Sequence, residues 1–292
     1  MQLESFLNFL RYEKRYSQHT IISYQNDLEQ FAAYIDKTFE TQQASEVSHF
    51  YIRSWMAQLS DNGIQPRSIN RKLSALKSFY KFLMKRGEAE KNPTLKIVSP
   101  KTSKRLPAYV EQDKMENLFA GIEFAADFAG MRDRIMLELL YSTGMRRAEL
   151  MNLRQADIDF GHRYLKVLGK GNKERLIPFD RKLQDNLQAY LKEAGHLYPH
   201  CEWLLINDKG EKMSPEAIYR TVKKYLSMVT TLDKRSPHVL RHSFATHLSN
   251  NGADLNAIKE LLGHSSLAAT QVYTHNNIEK LKDIFKQSHP KA

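Results

Sequence analysis

Residues 237–247 read Pro-His-Val-Leu-Arg-His-Ser-Phe-Ala-Thr-His, and this run opens a predicted helix. Ser236 is a suitable N-cap, and Pro237 suits the first helical position because the N–H that it lacks would have no partner there. The helix is expected to run to Asn250 or to the residue after it. Gly252 is expected to stop it, since glycine adopts left-handed backbone at low cost.

Four polar side chains in and beyond this run stand out. His238 and Arg241 are three residues apart, so a helix would place them on one face. A second helix is predicted to end at Gly263, which would leave His264 just past a helix C-terminus, and Tyr273 follows nine residues later. This second helix is expected to start near Asp254. Its expected buried residues are Ile258, Leu261 and Leu262.

Arginine, histidine and tyrosine together favour chemistry at phosphorus. Arg presents a planar fork that matches phosphate oxygens, and His donates to an oxyanion or moves a proton near neutral pH. A tyrosine hydroxyl attacks phosphorus to give a covalent phosphotyrosine. Because a phenol has a pKa of about 10, ionising it at pH 7 costs ~4 kcal/mol, and it needs cationic neighbours or a base. A His-x-x-Arg pair alone is more often a surface feature, and a lone Tyr is more often core or interface.

The combined motifs resemble the tyrosine recombinase (lambda integrase-like) family, with the bacterial XerC/XerD recombinases as its nearest members. The resemblance rests on His238-x-x-Arg241, on Leu262-Gly263-His264 and on Tyr273. It rests further on residues 143–150, Thr-Gly-Met-Arg-Arg-Ala-Glu-Leu, and on residues 169–175, Gly-Lys-Gly-Asn-Lys-Glu-Arg. It covers essentially the whole chain.

The resemblance implies a site and a role for each residue. Arg146 and Arg241 would clamp the scissile phosphate, and Lys170 would protonate the leaving 5′ hydroxyl, with Lys173 as the nearby alternative. Tyr273 would attack and form a 3′-phosphotyrosine link, His238 would assist proton transfer with Tyr273, and His264 would donate to a phosphate oxygen. Glu149 is expected to orient Arg146, and His242 and His247 are expected to be structural. The predicted catalytic residues are Arg146, Lys170, His238, Arg241, His264 and Tyr273.

No metal and no cofactor is predicted. His238 and His242 have the i,i+4 spacing of a zinc pair, but no Glu stands between them in an HExxH arrangement. The phosphotyrosine conserves the energy of the broken bond, so the family resemblance implies no nucleotide requirement.

Composition favours a polyanionic partner or an anionic membrane. The 292 residues carry a net charge of +11, and the sequence pI is near 9.5. The single cysteine, Cys201, excludes an intrachain disulfide framework and fits a reducing compartment. With no recognisable signal peptide and no apolar run of membrane-spanning length, a cytoplasmic location without membrane contact is expected.

The basic charge is concentrated in one segment. Residues 67–105 hold twelve basic and two acidic residues, whereas a solvated surface normally mixes the two signs. A solvated helix face is the simpler explanation, but this concentration favours contact with phosphates. The DNA-binding residues predicted from one helix face are Arg67, Arg71, Lys77, Lys81 and Lys85.

The expected fold is mainly α-helical, with a small antiparallel sheet in the C-terminal half. The first hundred residues show only helical periodicity, whereas strands are predicted at 158–160, 164–168 and 174–179. Three segments are predicted: a helical core-binding, DNA-clamping domain at 1–88, a basic linker at 89–106, and a catalytic domain at 107–292.

The expected function is site-specific recombination through a Holliday junction, in the Xer-type role of resolving chromosome dimers at cell division. A mobile-element integrase of the same family is the alternative, and a type IB topoisomerase or a non-catalytic DNA-binding relative is disfavoured. The implied partners are double-stranded DNA with a specific recombination site and a tetrameric synapse with itself or a paralogous recombinase. The FtsK translocase is a further candidate partner.

Overall fold

The computed structural model describes residues 3–102, 108–169, 173–263 and 287–288. Its backbone forms two compact units, Met1–Arg105 and Leu106–Ala292. Helices dominate both units, and the second contains a three-stranded antiparallel sheet. The predicted fold class is confirmed, whereas the exact domain limits stay a prediction.

The first unit consists of four helices with short helical turns. The longest helix of this unit begins at Gln18, and the side chain of Ser17 caps it by accepting from the N–H of Thr20. The helices are α1 (Leu3–Asn8, continued by a π-helical turn at Phe9–Glu13), α2 (Gln18–Phe39), α3 (His49–Asp61) and α4 (Pro66–Lys85). Short 3-10 turns lie at Ala44–Glu46 and Pro93–Lys96.

Helix α4 separates apolar and basic residues as its sequence predicts. Its apolar residues are buried against α2 and α3, and Phe79 meets Phe6 at a ring distance of 5.3 Å. The buried face of this helix includes Ile69, Leu73, Leu76, Tyr80 and Leu83. The five side chains of the predicted DNA-binding face are all exposed.

The segment after α4 packs on the first unit. Ala89 and Ile97 join its core, and Arg53 donates to the carbonyl of Lys96 at 3.2 Å. Asn70 donates to the carbonyl of Pro100 at 2.9 Å. Residues 89–100 of the predicted linker therefore make specific contacts with the first unit. The sequence does not show this, because a short 3-10 turn lacks the 3.6-residue periodicity of an α-helix.

The second unit builds on α6 (Phe128–Thr143), which is buried along most of its length. This helix packs against α8 (Arg181–Leu197) and α10 (Pro237–Asn250). The three strands of the sheet lie side by side in chain order, and Val167 lies opposite Arg175. The elements of this unit are α5 (Gln112–Ala120), α6 (Phe128–Thr143), α7 (Arg147–Asn152), β1 (Ile158–Asp159), β2 (Tyr164–Leu168), β3 (Glu174–Pro178), α8 (Arg181–Leu197), α9 (Pro215–Val229), α10 (Pro237–Asn250) and α11 (Leu255–Leu262).

Helices α10 and α11 have the limits that their sequence predicts. Helix α10 ends before Gly252, whose φ is +86°, and Asp254 caps α11 by accepting from the backbone N–H groups of two of its first residues. Ser236 differs from the prediction: its side chain makes no capping bond, and its carbonyl accepts from the N–H of Val239 at 2.9 Å.

Among the residues that the structure describes, no helix combines the length and apolar character needed to cross a bilayer. The helix expected in the tail after Tyr273, at Ile278–Phe285, lies outside them. Only Gln287 and Ser288 are described there, and the carbonyl of Ser288 accepts from the side chain of Asn251 at 2.8 Å.

Candidate active site

Arg146 is fixed at the start of α7 by Glu149. It occupies the N-cap position, where its backbone N–H donates to Oε2 of Glu149 at 2.7 Å. Its Nη1 donates to Oε1 of the same carboxylate, also at 2.7 Å. Glu149 therefore holds both the backbone and the guanidinium of Arg146, which is the orienting role expected for it from the sequence.

Arg175 binds the same carboxylate from β3, and sequence reasoning assigned it no role. Its Nη1 and Nη2 donate to Oε1 and Oε2 of Glu149 at 2.9 and 2.7 Å, and both side chains are only 4% exposed. The available signal was strand alternation: Arg175 and Ile177 share the inward face of β3, and a buried arginine requires a partner.

Arg241 is buried in α10, and its guanidinium donates to two backbone carbonyl groups. Its Nη1 donates to the carbonyl of Gly144 at 2.6 Å and its Nη2 to the carbonyl of Leu262 at 2.7 Å. Burial, reinforced by the positive charge of Arg146, lowers the pKa of Arg241 to about 10. This guanidinium is therefore held in an environment where a further negative charge is favourable.

The carbonyl end of α11 receives all three arginines. Successive carbonyls at its C-terminus accept from Arg175 at 3.0 Å, from Arg241 at 2.7 Å and from Arg146 at 3.2 Å. The negative end of a helix dipole favours cations at this position. The accepting residues, in the same order, are Leu261, Leu262 and Gly263. We call Arg146, Arg175, Arg241 and Glu149 the arginine cluster.

The arginine cluster is electrostatically suited to bind an oxyanion. Two of its three guanidinium groups bind its one carboxylate, so the cluster has two positive charges that no other member of the cluster compensates. Burial opposes the charged form of Glu149, but hydrogen bonds from Arg175 and then Arg146 hold its pKa below the usual range. Within the described residues, hydrogen bonds use two of the five N–H groups of Arg146 and of Arg241, so donors remain for a ligand.

Of the other predicted catalytic residues, His238 is the one that the structure describes. His238 lies in the first turn of α10 and is exposed, in contrast to the buried Arg241 one turn later. Lys170, His264 and Tyr273 lie outside the described residues. The described chain nevertheless reaches the arginine cluster next to two of them, at Gly169 and at Gly263.

Two histidines that the sequence assigns to structural roles lie away from the cluster contacts. His247 is buried, and its Nδ1 forms a 2.9 Å hydrogen bond with the hydroxyl of Tyr141. Burial lowers its pKa. His242 is half-buried, with its ring 6.4 Å from that of Tyr109. Across the described ranges, no group of three His, Cys, Asp or Glu side chains is arranged to hold a metal ion.

Two family descriptions match the chain. The phage integrase family matches residues 108–280, and the phage integrase N-terminal SAM-like domain matches residues 3–87. The chain therefore belongs to the phage integrase family, the tyrosine recombinases, which confirms the resemblance inferred from its motifs. Its members are enzymes that cut and rejoin DNA strands with a tyrosine nucleophile.

Within this family, the chain is similar to proteins named tyrosine recombinase XerC. The relative from Pelotomaculum thermopropionicum is 38% identical over 100% of this chain and 99% of its own length. The relative from Staphylococcus aureus is 37% identical over 99% and 96%, and that from Chlorobaculum parvum is 35% identical over 99% and 94%. These similarities favour the Xer-type interpretation over a mobile-element integrase and over a type IB topoisomerase.

Solved structures share the fold. The XerH site-specific recombinase bound to its palindromic difH substrate gives a TM-score of 0.74 at 22% identity, covering 97% of this chain and 83% of that one. The Tn1549 transposon integrase in complex with circular intermediate DNA gives 0.70 at 20% identity, covering 95% and 97%. At these identities the likeness concerns the fold alone.

Proposed function

We propose that this protein is an Xer-type recombinase that resolves chromosome dimers at cell division, through a 3′-phosphotyrosine intermediate and a Holliday junction. The observation that carries the chemical part is the arginine cluster: among the described residues, Arg146 and Arg241 each use only two N–H groups in hydrogen bonds, and two positive charges of the cluster have no compensating member. The similarity to XerC proteins over nearly the whole chain supports the biological part.

The cleavage step assigns a role to each site residue. Arg146 and Arg241 hold the non-bridging oxygens of the scissile phosphate and neutralise the charge that develops in the transition state. The hydroxyl oxygen of Tyr273 forms a bond to phosphorus as the bond from phosphorus to the 5′ oxygen breaks. His238 takes the phenol proton, Lys170 gives a proton to the leaving oxygen, and His264 donates to a phosphate oxygen. Rejoining reverses these transfers.

The partners follow from the charge and from the reaction. Double-stranded DNA containing a specific recombination site is the substrate, and the exposed basic face of α4 contributes phosphate contacts. Strand exchange between two sites requires four protomers, either copies of this chain or a paralogous recombinase. The FtsK translocase is the proposed regulator, and the reaction takes place in the cytoplasm. No metal ion and no nucleotide enters the step.

Covalent capture tests this function. On a suicide substrate nicked beside the scissile phosphate, the wild-type chain should accumulate a DNA adduct that withstands denaturation, with and without EDTA. Tyr273→Phe should abolish the adduct and retain DNA affinity, because only the hydroxyl is removed. Adduct and free DNA are separated by denaturing electrophoresis, and affinity is measured by fluorescence anisotropy.

Tyr164→Phe is the matched control, since Tyr164 lies on β2 and is absent from the proposed site. It should form the adduct at the wild-type rate. An adduct that persists in Tyr273→Phe would move the nucleophile to another residue. Loss of the wild-type adduct in EDTA, with DNA binding intact, would contradict the metal-free mechanism.

A further inference from the structure

Arg175 lies beside segments that carry three of the predicted catalytic motifs: α7, the end of α11, and the root of the hairpin between β2 and β3. Through Glu149 it is joined to Arg146 of the first motif. Through its Nε it holds the carbonyl of Leu261 at 3.0 Å, near the end of α11. These contacts connect β3 with α7 and α11 at one buried side chain.

Two glycines show how closely the neighbouring segments approach Arg175. A Cβ added to Gly263, the residue before His264, would lie 3.1 Å from Cδ and from Nη1 of Arg175. A Cβ added to Gly169, the residue before Lys170, would lie 3.5 Å from Nη1 of Arg175 and from Oε1 of Glu149. Gly169 also closes the described root of the hairpin, where its N–H donates to the carbonyl of Lys173 at 2.8 Å.

We propose that Arg175 is a positioning residue for strand cleavage: with Glu149 it fixes the guanidinium of Arg146 and seats the end of α11 and the hairpin root against the arginine cluster. This inference rests on the proposed function. Arg175 does not touch the phosphate in this account, because its side chain is only 4% exposed and three of its five N–H groups donate to Glu149 and Leu261.

The geometry of the contact requires arginine. Its fork donates two parallel bonds to the carboxylate while Nε points to a backbone carbonyl, an arrangement that a lysine ammonium does not reproduce. Lysine retains the positive charge and most of the side-chain length. Arg175→Lys therefore separates the fixed geometry from the charge.

The competing explanation is that Arg175 only stabilises the fold through a buried ion pair. Arg132 supplies the matched control, because it is also a mostly buried arginine of the second unit, bonded to Asp208 at 2.5 Å and to the carbonyl of Ile206 at 3.4 Å. Arg132→Lys changes the same chemical group away from the arginine cluster. Thermal unfolding of both variants measures how far each substitution affects stability.

The kinetic experiment measures the first-order rate of adduct formation at saturating DNA, below the unfolding range of every variant. Arg175→Lys should lower this rate on the order of 100-fold, as expected for a displaced catalytic group. Its DNA dissociation constant and the rate of Arg132→Lys should both stay within about twofold of wild type. Equal rates for the two variants would overturn the proposal.

A neutral scissile phosphate identifies the group through which Arg175 acts. A methylphosphonate at the scissile position lacks the negative charge that Arg146 and Arg241 are proposed to hold. The ratio of wild-type to Arg175→Lys rates should therefore fall on this substrate to roughly a tenth of its value or less on phosphate, since about 1.4 kcal/mol corresponds to a tenfold change in rate. An unchanged ratio would overturn action through Arg146.

A spectroscopic readout keeps the test independent of activity. In protein labelled with ¹⁵N-arginine, the guanidinium signals of Arg146 should show hindered rotation that Arg175→Lys abolishes, while those of Arg132 stay unchanged. Unaltered Arg146 signals would overturn the positioning role even if cleavage slows. If the wild-type chain forms no adduct, the proposed function fails, and these signals still decide whether Arg175 positions Arg146.

Discussion

Arg71 and Lys72 are neighbours on α4 and pair with the same carboxylate, Asp27, but they differ in exposure. This carboxylate on α2 is buried and pairs with Arg71 and, at 3.0 Å, with Lys72. Lys72 is buried as well, and its ammonium lies 5.9 Å from the ring centre of Trp55. Arg71 keeps 46% of its side chain exposed, so it is anchored by Asp27 and still accessible from solvent.

Asp27→Asn should lower the free energy of unfolding of the first unit by roughly 3–5 kcal/mol, because it leaves the ammonium of Lys72 buried without its counter-ion. Urea unfolding followed by the fluorescence of Trp55, in a Trp203→Phe background, measures the change. The double variant Asp27→Asn/Lys72→Met should recover most of the loss, since it removes the unpaired charge.

The control for this prediction is Asp36→Asn on the same helix. Asp36 is exposed, so its substitution should change the free energy of unfolding by about 0.5 kcal/mol or less. Equal effects at positions 27 and 36 would show that the Asp27 network contributes nothing specific.

Among the elements of the second unit, the turn from α6 to Arg146 depends on Gly144. Its φ of +59° ends α6, and its carbonyl accepts from Arg241. A Cβ at this position would lie 2.4 Å from Cδ1 of Phe244 and 2.9 Å from Cδ2 of Leu262. The turn before Arg146 therefore requires glycine both for its backbone conformation and for the packing of α10 and α11.

Gly144→Ala should destabilise the second unit by roughly 2–4 kcal/mol, from left-handed backbone strain together with overpacking. Gly195→Ala is the matched control: Gly195 lies inside α8, and a Cβ there meets no atom within 4 Å. It should stabilise by roughly 0.5–1 kcal/mol. Urea unfolding followed by Trp203, in a Trp55→Phe background, measures both, and a neutral Gly144→Ala would contradict the packing argument.

At the scale of the whole molecule, the net charge of +11 is distributed unevenly. The five predicted DNA-binding residues of α4 all face solvent, on the side opposite a buried apolar face. Arg71 belongs to this face and is paired with Asp27, whereas Lys72 is withdrawn from it into the interior. The exposed charge suited to phosphate contact is therefore smaller than the sequence count of the segment.

Replacing Lys77, Lys81 and Lys85 together with Ala should weaken DNA binding and flatten its salt dependence, because fewer condensed counter-ions are released. Each lost phosphate contact should reduce the slope of log K against log salt by about one unit. Fluorescence anisotropy from low to moderate salt measures the slope.

Lys182, Lys192 and Lys209 form the control set for this prediction, since all three are exposed in the second unit and outside the basic segment. Their joint replacement by Ala removes the same net charge and should leave the slope closer to that of wild type. Equal slopes for the two triple variants would assign the α4 lysines to solvent.

Most helices and strands of this protein, and its family, could be predicted from local sequence signals. Because the signals that predict the helices and strands are local, they can be recognised without the fold. They are capping residues, glycines at helix ends, helical periodicity in α4 and alternation in β2 and β3. The motifs that contain Arg146, His238 and Arg241, together with residues 169–175 and 262–264, resemble those of the tyrosine recombinases, and the family comparisons confirm this resemblance. The catalytic roles of these residues remain proposals.

The partners of the buried charges could not be predicted from the sequence and are known from the packed structure. Arg175 meets Glu149 across 26 residues and Leu261 across 86, and Asp27 meets Arg71 across 44. A buried charge must find a partner, but which partner it finds depends on the packing of distant elements. The local pattern showed that Arg175 faces inward on β3, whereas the fold supplied the carboxylate and the helix end that it holds.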